Sequence, residues 1–330
     1  MSNLRSFAAL RPFVGYQFWR NDAHTTTLDL HRMTWNIAPS SPDFSQGHSR
    51  DPVRNPGWST KGVRFMASLN LIQLTDLHLF PEPGASVGWC SECAHLDTDV
   101  TLQAVLDDIE HSGFDADAWV VTGDIAQQAT PRTYQRAAEF LSRGGRPVYC
   151  LPGNHDEAAM MVEALQGRVT TAGHVVYDHW LLIHLDSSQP GGEEPAGWLH
   201  ERELVRLQEL LQSNSSHHVA LFVHHPPVDV GSAWLDKIGL LNREALFSAI
   251  AGHPQVKTVV FGHAHQPVDT RVDGVRLLGA PSTCLQFKPG QATFAIDQRP
   301  PGWRWLSLNA DGSLETAVRY LPPAQQTRSK

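Results

Sequence analysis

Five short polar motifs, each placed directly after an apolar run, constrain this chain more than any other feature. They are TDLH at 75–78, GD at 123–124, GNHD at 153–156, HH at 224–225 and GHAH at 262–265. Each motif supplies a carboxylate, an imidazole or an amide oxygen at the point where a buried strand is predicted to end. Ligands of α/β folds collect beyond the carboxyl ends of strands, so the motifs are predicted to share one rim of the fold.

The segments around these motifs alternate between strand-like and helix-like patterns. Strands are predicted at 69–74, 118–121, 147–151, 219–223 and 256–261, with a hairpin joining 174–177 to 180–185. Helices are predicted at 97–111, 131–142, 157–166 and 199–211, with Asp97 and Thr130 as N-caps. Short β-rich segments follow at 275–278, 293–296, 303–308 and 314–320. This order predicts an α/β fold in which two packed β-sheets are flanked by helices.

Length, charge and hydropathy limit the class of protein. The 330 residues, of which 41% are hydrophobic, are enough for one large α/β domain with a sizeable core. The net charge of −8 argues against a nucleic-acid partner, which needs a basic face. A small anionic substrate fits this charge if bound metal ions reverse its sign locally. No apolar run is long enough to cross a bilayer, so we expect no membrane partner and a location in the cytoplasm. We expect the protein to be a monomer or a homodimer.

The chain divides into a domain at 66–322, an N-terminal extension at 1–65 and a short tail at 323–330. The extension shows no sustained helical or strand period and is expected to be disordered or dispensable. The alternative is a regulatory or targeting arm, because Arg5, Arg11 and Arg20 occur in its first twenty residues without any acidic residue.

The four cysteines do not form a disulfide framework in a chain of this length. Cys90 and Cys93 form one CxxC motif, which on its own could be half of a zinc ribbon or a redox pair. Because no second CxxC motif exists, we interpret both as loop thiols in a reducing compartment.

Seven donors of the motifs are predicted metal ligands: Asp76, His78, Asp124, Asn154, His263, His265 and an imidazole of the His-His pair at 224–225. Oxygen and imidazole donors suit hard or borderline ions. In an extended segment, residues two apart point the same way, which predicts that Asp76 pairs with His78 and His263 with His265. A carboxylate can bridge two ions, and Asp124 is the predicted bridge. Two ions sharing one carboxylate would supply hydroxide and neutralise phosphate charge.

The five motifs, in this order over about 70–265, resemble those of the calcineurin-like metallophosphoesterases. The resemblance implies a four-layer αββα sandwich with a di-metal site. It assigns Asp76, His78, Asp124 and His265 to one ion, and Asp124, Asn154, His224 and His263 to the other. In this assignment His225 flanks a ligand and shapes its loop. It also implies that His155 is a catalytic imidazole beside the phosphate and not a ligand.

Segments beyond the motifs, at 231–242, 281–287 and 301–306, look like those of bacterial class III 3′,5′-cyclic-AMP phosphodiesterases. That resemblance implies hydrolysis of cyclic AMP to 5′-AMP with iron or manganese. The implied phosphate-binding residues are His78, Asp124, Asn154, His155 and His265. Another di-metal activity is the alternative: a broad phosphodiesterase, a phosphomonoesterase or a nucleotide pyrophosphatase. Trp234 would either pack against the base or fill the core, and the unusual loop at 87–95 would lie over the adenine side.

Overall fold

The structure, a computed structural model, describes residues 68–87, 93, 95–189 and 195–322. The predicted extension at 1–65, the tail at 323–330 and most of the loop at 87–95 therefore lie outside the described residues. In chain order the strands and helices are β1 (Leu69–Leu74), α1 (Thr98–Ser112), β2 (Ala118–Thr122), α2 (Pro131–Leu141), β3 (Val148–Leu151), α3 (Ala158–Ala164), β4 (Val169–Thr170), β5 (His174–Tyr177), β6 (Trp180–His184), α4 (Glu201–Ser213), β7 (His218–Val223), α5 (Arg243–Ile250), β8 (Val256–Phe261), β9 (Val268–Val272), β10 (Val275–Gly279), β11 (Gln286–Phe287), β12 (Ile296–Asp297), β13 (Gly302–Leu308) and β14 (Leu314–Tyr320).

Two six-stranded mixed sheets form the centre of the fold. The first has the order β14-β13-β1-β2-β3-β4, and the second has the order β5-β6-β7-β8-β10-β9. The inner strands of each sheet run parallel, whereas β13 and β14 in the first sheet, and β5 and β9 in the second, pair antiparallel. Parallel neighbours bring the carboxyl ends of β1, β2 and β3 to one edge, and those of β7 and β8 to another.

The sheets pack face to face because their strands are apolar on both sides. Along β1, Leu71 points into the layer between the sheets and Ile72 into the layer under the helices. Phe222 and Leu221 of β7 divide between the two sides in the same way. Helices α1 to α3 cover the outer face of the first sheet, and α4 and α5 cover that of the second. The result is the predicted four-layer sandwich, and the continuous apolar runs follow from strands covered on both faces.

The two predicted N-caps are confirmed. The Asp97 carboxylate accepts hydrogen bonds from the backbone N–H groups of Asp99 and Val100 at the start of α1. Thr130 Oγ1 accepts from Thr133 N, and Pro131 occupies the first turn of α2. Such caps satisfy backbone donors that have no partner inside the helix, worth about 1 kcal/mol each.

Five elements differ from the sequence prediction, including the two-residue strands β4 and β11, which it lacked. The predicted strand at 293–296 is wrong in position, because the short strand there is Ile296–Asp297, paired with Gln286–Phe287. The prediction also lacked helix α5 and strand β9. Among the described residues, strand β9 is an edge strand that pairs with β10 alone, and it is largely exposed, so its sequence carries charges in place of an apolar run.

All five polar motifs begin within two residues of the ends of β1, β2, β3, β7 and β8. Hydrogen bonds join the two sheets at these strand ends and in the loops that follow: Gln73 Nε2 donates to Phe261 O at 2.9 Å, and His263 N donates to Asp76 Oδ2 at 3.1 Å. The predicted convergence on one rim is therefore confirmed. Across the described ranges, none of the helices has the length and apolar character needed to span a bilayer.

Candidate metal centre

The backbone of the rim is left-handed at most of the predicted ligands. Six non-glycine residues in the described ranges have positive φ, and five are predicted ligands: Asp76 (54°), His78 (51°), Asp124 (49°), His263 (62°) and His265 (47°). This conformation costs of order 1–3 kcal/mol per residue, and it clusters at functional sites. The extended-strand explanation for the pairs at 76/78 and 263/265 is therefore wrong, because alternating left-handed turns aim these side chains inward.

Gly123 permits the two sheets to approach each other below the site. Its φ is +92°, and a Cβ atom there would lie 2.4 Å from His224 Nδ1 and 2.8 Å from Gly153 N. The tight turn predicted at this glycine is confirmed, and no side chain fits in the gap.

A Gly123→Ala variant is expected to lose at least about 2–4 kcal/mol of unfolding free energy, because it adds a clash to an unfavourable φ. The matched control is Gly113→Ala at the end of α1, where φ is +72° and nothing lies within 4 Å of the new Cβ. That control should lose only about 1 kcal/mol, the cost of the backbone conformation alone. Urea unfolding of both variants measures the difference, and equal losses would contradict the close approach.

The first group of predicted ligands consists of Asp76, His78 and His265, all buried. His265 Nε2 lies 3.3 Å from Asp76 Oδ1 and 3.3 Å from His78 Nε2. His78 Nε2 lies 3.9 Å from Asp124 Oδ2. These three contacts place four ligand atoms around one small volume.

The second group consists of Asn154, His224 and His263. Asn154 Oδ1 lies 3.2 Å from His224 Nε2 and 3.0 Å from His263 Nδ1. His224 Nε2 lies 3.3 Å from Asp124 Oδ2, the same oxygen that faces the first group. The other oxygen, Asp124 Oδ1, accepts a hydrogen bond from His155 N at 2.9 Å. Asp124 Oδ2 thus borders both groups, where the predicted bridge belongs.

The tautomers of two histidines indicate that the ligand atoms of both groups are suited to bind cations. His224 Nδ1 donates to Thr122 O and His265 Nδ1 donates to Leu285 O, both at 2.7 Å, because a carbonyl oxygen only accepts. In the neutral rings, each Nε2 therefore presents a lone pair to a neighbouring oxygen lone pair. Asp76 Oδ1 is also buried without a hydrogen-bond partner among the described residues. Facing acceptors of this kind repel unless a cation lies between them, and a ring of oxygen and nitrogen donors suits a transition-metal ion.

The electrostatics of the site agree with this reading. Burial lowers the pKa of His78 and of His263 to about 3, which leaves both as the neutral imidazoles that metals bind. Burial also opposes the charged form of His224, but the carboxylates of Asp124 and Asp76 outweigh it and raise the pKa of His224 to about 9. Without a metal ion this ring therefore carries a second proton, on Nε2, so that positive charge lies where the ion would bind. Burial by itself would raise the pKa of Asp124, whereas His224 and His155 hold it well below its usual range. The acid is therefore ionised at neutral pH.

His225 lies among the ligands but has other partners. A third histidine beside His224 and His263 could in principle complete a metal-binding trio. However, His225 Nε2 donates to Pro195 O at 3.2 Å, and its Nδ1 lies 2.8 Å from Ser187 Oγ. Both ring nitrogens are thus engaged with the segment that follows β6, which supports the prediction that His225 shapes a loop.

His155 stands apart from both groups because it is only half-buried. One of its ring nitrogens lies within 4.8 Å of a ring nitrogen of His78 and of a carboxylate oxygen of Asp124. Its Nδ1 lies 3.4 Å from Gln127 Nε2. Gln127 was not predicted as a site residue from the sequence. The signal that could have identified it is its position three residues after Asp124.

Asp156 was also missed as a functional residue, although it is the last residue of the GNHD motif. Its buried carboxylate accepts hydrogen bonds from Ile125 N (3.1 Å), Ala126 N (3.0 Å), Gly153 N (3.0 Å) and Tyr134 Oη (3.2 Å). It therefore ties the loop of Asp124 to the loop of Asn154. Only the fold reveals these donors, because they come from three separate segments.

Trp234 belongs to an aromatic cluster beside the site. Its ring lies 5.1 Å from that of Phe287 and 5.3 Å from that of Phe294, in edge-to-face arrangements. The packing favours the core-filling interpretation of Trp234. Cys93 is buried in the same cluster, whereas Cys90 lies outside the described residues.

Known proteins are similar to this chain in sequence and in fold. Residues 69–267 match the sequence profile of the calcineurin-like phosphoesterase family. The 3′,5′-cyclic adenosine monophosphate phosphodiesterase CpdA of Pseudomonas aeruginosa is 36% identical over 252 residues, covering 76% of this chain and 90% of that protein. CpdA of Escherichia coli K12 is 37% identical over 257 residues, covering 77% and 90%. A purple acid phosphatase from yellow lupin superposes with a TM-score of 0.52 at 15% identity, over 79% of this chain and 52% of its own, a likeness of fold alone.

Proposed function

This chain belongs to the calcineurin-like phosphoesterase family, and from that membership we propose that it hydrolyses 3′,5′-cyclic AMP to 5′-AMP. The observation that carries the proposal is the pair of facing donor groups joined by Asp124 Oδ2. Similarity to two cyclic-AMP phosphodiesterases over nine-tenths of their length supports the substrate. Such an enzyme would lower the concentration of an intracellular second messenger, so we place it in the cytoplasm. We propose that it is a monomer or a homodimer.

We assign Asp76, His78, Asp124 and His265 to one metal ion, and Asp124, Asn154, His224 and His263 to the other. Iron and manganese are the proposed ions, because the donors are carboxylate, amide and imidazole without a thiolate. When bound, such ions withdraw charge from the phosphate oxygens and make hydroxide available near neutral pH.

The chain's own residues bind and protonate the substrate. We propose that His78, Asp124, Asn154, His155 and His265 line the phosphate position. His155 is the half-buried member of this set and would donate its proton to the ester oxygen that leaves. The Gln127 side-chain amide, 3.4 Å from His155 Nδ1, would hold the imidazolium by turning its oxygen to accept the Nδ1 proton, which leaves the other ring nitrogen free for that transfer. Asp124 Oδ1 fixes the backbone of His155 through its N–H group.

A substrate panel tests the proposal most directly. The purified protein, loaded with Mn²⁺ or Fe²⁺, is assayed with 3′,5′-cyclic AMP, 3′,5′-cyclic GMP, 2′,3′-cyclic AMP, bis-p-nitrophenyl phosphate and p-nitrophenyl phosphate. We expect the highest kcat/KM for 3′,5′-cyclic AMP, with 5′-AMP as the product. Preference for the monoester, or release of 3′-AMP, would replace this proposal with another di-metal phosphoesterase activity.

Deletion of residues 1–65 is expected to leave kcat and KM for cyclic AMP unchanged within about twofold. The reason is that the proposed ligands lie at 76–265, and the hydrogen-bond partners found for them within the described part of the chain lie at 75–285. Kinetics of the truncated and full-length proteins at equal metal occupancy make the comparison. A folded, metal-loaded truncation with impaired turnover would instead support a functional arm.

A further inference from the structure

The segment that follows β10 contacts one of the two ligand groups. We refer to residues 282–287 as the support segment. Ser282 Oγ donates a hydrogen bond to Asp76 O at 2.8 Å, and Thr283 N donates to Thr75 O at 3.1 Å. Both bonds hold the left-handed turn from which the Asp76 carboxylate projects.

The same segment fixes His265 in two ways. Leu285 O accepts the proton of His265 Nδ1 at 2.7 Å, which leaves the Nε2 lone pair pointing to Asp76 and His78. The Phe287 ring stacks on the imidazole with centroids 4.0 Å apart and planes inclined by 13°. The hydrogen bond sets the tautomer, and the stack sets the plane of the ring.

Phe287 is itself held rigidly. It is buried, and the rings of Trp234 and Phe294 contact it edge-to-face at 5.1 Å and 5.5 Å. An aromatic cluster therefore backs the histidine, and rotation of the imidazole would require this cluster to move. Close packing of this kind resists small displacements.

The second group is supported by other parts of the chain. His224 Nδ1 donates to Thr122 O, and His225 packs against His263 with ring centroids 4.8 Å apart. For Asn154, His224 and His263, the hydrogen bonds and ring contacts found in the described ranges involve no residue of the support segment. The two groups share Asp124 but differ in what surrounds them.

We propose that Ser282, Leu285 and Phe287 are positioning residues that set the affinity for only one of two metal ions, the ion held by Asp76, His78 and His265. This inference rests on the proposed function, because it requires both groups to hold metal. Groups that orient a ligand without touching the metal typically change metal affinity by about 10- to 100-fold. Removing contacts of the support segment should therefore weaken binding of that ion and leave the affinity for the other ion unchanged.

The test is Mn²⁺ binding to the full-length protein bearing Phe287→Leu, measured by elemental analysis after dialysis and by titration calorimetry of the metal-free protein. The expected result is two ions in the wild type and one in the variant, with one dissociation constant raised about 10- to 100-fold and the other unchanged. The matched control is Phe294→Leu, which perturbs the same aromatic cluster without a ring contact to His265 and should keep both ions.

Ser282→Ala is the second variant, in case Phe287→Leu does not fold. It removes the hydrogen bond to Asp76 O with little change in volume, and it should weaken the same ion. Two ions with unchanged affinities in the folded variants, or equal weakening of both ions, would overturn the inference. A wild type that binds no Mn²⁺ would instead defeat the proposed function, so the two failures are distinguishable.

Discussion

Asp124→Asn is expected to remove both metal ions and to lower kcat/KM for cyclic AMP by at least about 10³-fold, since metal ions supply several kcal/mol of transition-state stabilisation. The substitution preserves the shape of the side chain, and its amide oxygen still accepts from His155 N. The amide nitrogen, whose lone pair is delocalised into the carbonyl group and does not bind a metal, then occupies the position of Oδ2, between His78 Nε2 and His224 Nε2. Both groups thus lose the same ligand atom, Asp124 Oδ2.

Metal content after dialysis and steady-state kinetics on the same sample measure this effect. Asp115→Asn is the control, because that carboxylate is 85% exposed and pairs only with Arg146 among the described residues. It should match the wild type in both assays. An Asp124→Asn protein that retains two ions and full turnover would remove Asp124 from the bridging position.

His155→Ala is expected to lower kcat for cyclic AMP by about 10²- to 10⁴-fold while both ions stay bound, because general acid catalysis is worth that much. The loss should be much smaller for bis-p-nitrophenyl phosphate, since p-nitrophenolate leaves without a proton. Dependence on the leaving group therefore separates proton donation from a disturbance of the metal site. His155 is half-buried and lies beside, and not within, the two ligand groups.

The measurement is a ratio of kcat values for the two substrates, together with metal content. His174→Ala is the matched control, because His174 is an exposed histidine on edge strand β5. Equal losses on both substrates would argue against proton donation, and the loss of an ion would show that His155 is a ligand.

Much of the fold follows from local patterns in the sequence. Strands β1 and β8 begin and end at the predicted residues, because an apolar run with polar residues on both sides has well-defined limits. The caps Asp97 and Thr130 were predictable, since their side chains bond to N–H groups only two or three residues away. Strand β9 escaped prediction because it is formed by pairing with β10, and its own residues have no apolar period.

The site divides in a similar way. The order of the five motifs identified Asp76, Asp124 and the histidines at the rim, because carboxylates and imidazoles repeated after strand ends have few structural uses. The left-handed backbone of these residues was not predictable, since aspartate and histidine adopt it only where surrounding contacts require it. Gln127 and the support segment act through contacts that depend on the tertiary fold.

The sequence by itself determined the donor atoms available to a metal and the strands that carry them, because both depend on residue type and on short-range order along the chain. The tertiary structure decided which lone pairs face one another. Thr122 O and Leu285 O fix the tautomers of His224 and His265, and Asp124 Oδ2 lies between two groups drawn from both sheets. Directions of side chains at such a junction depend on contacts between residues far apart in the chain, and no local pattern encodes them.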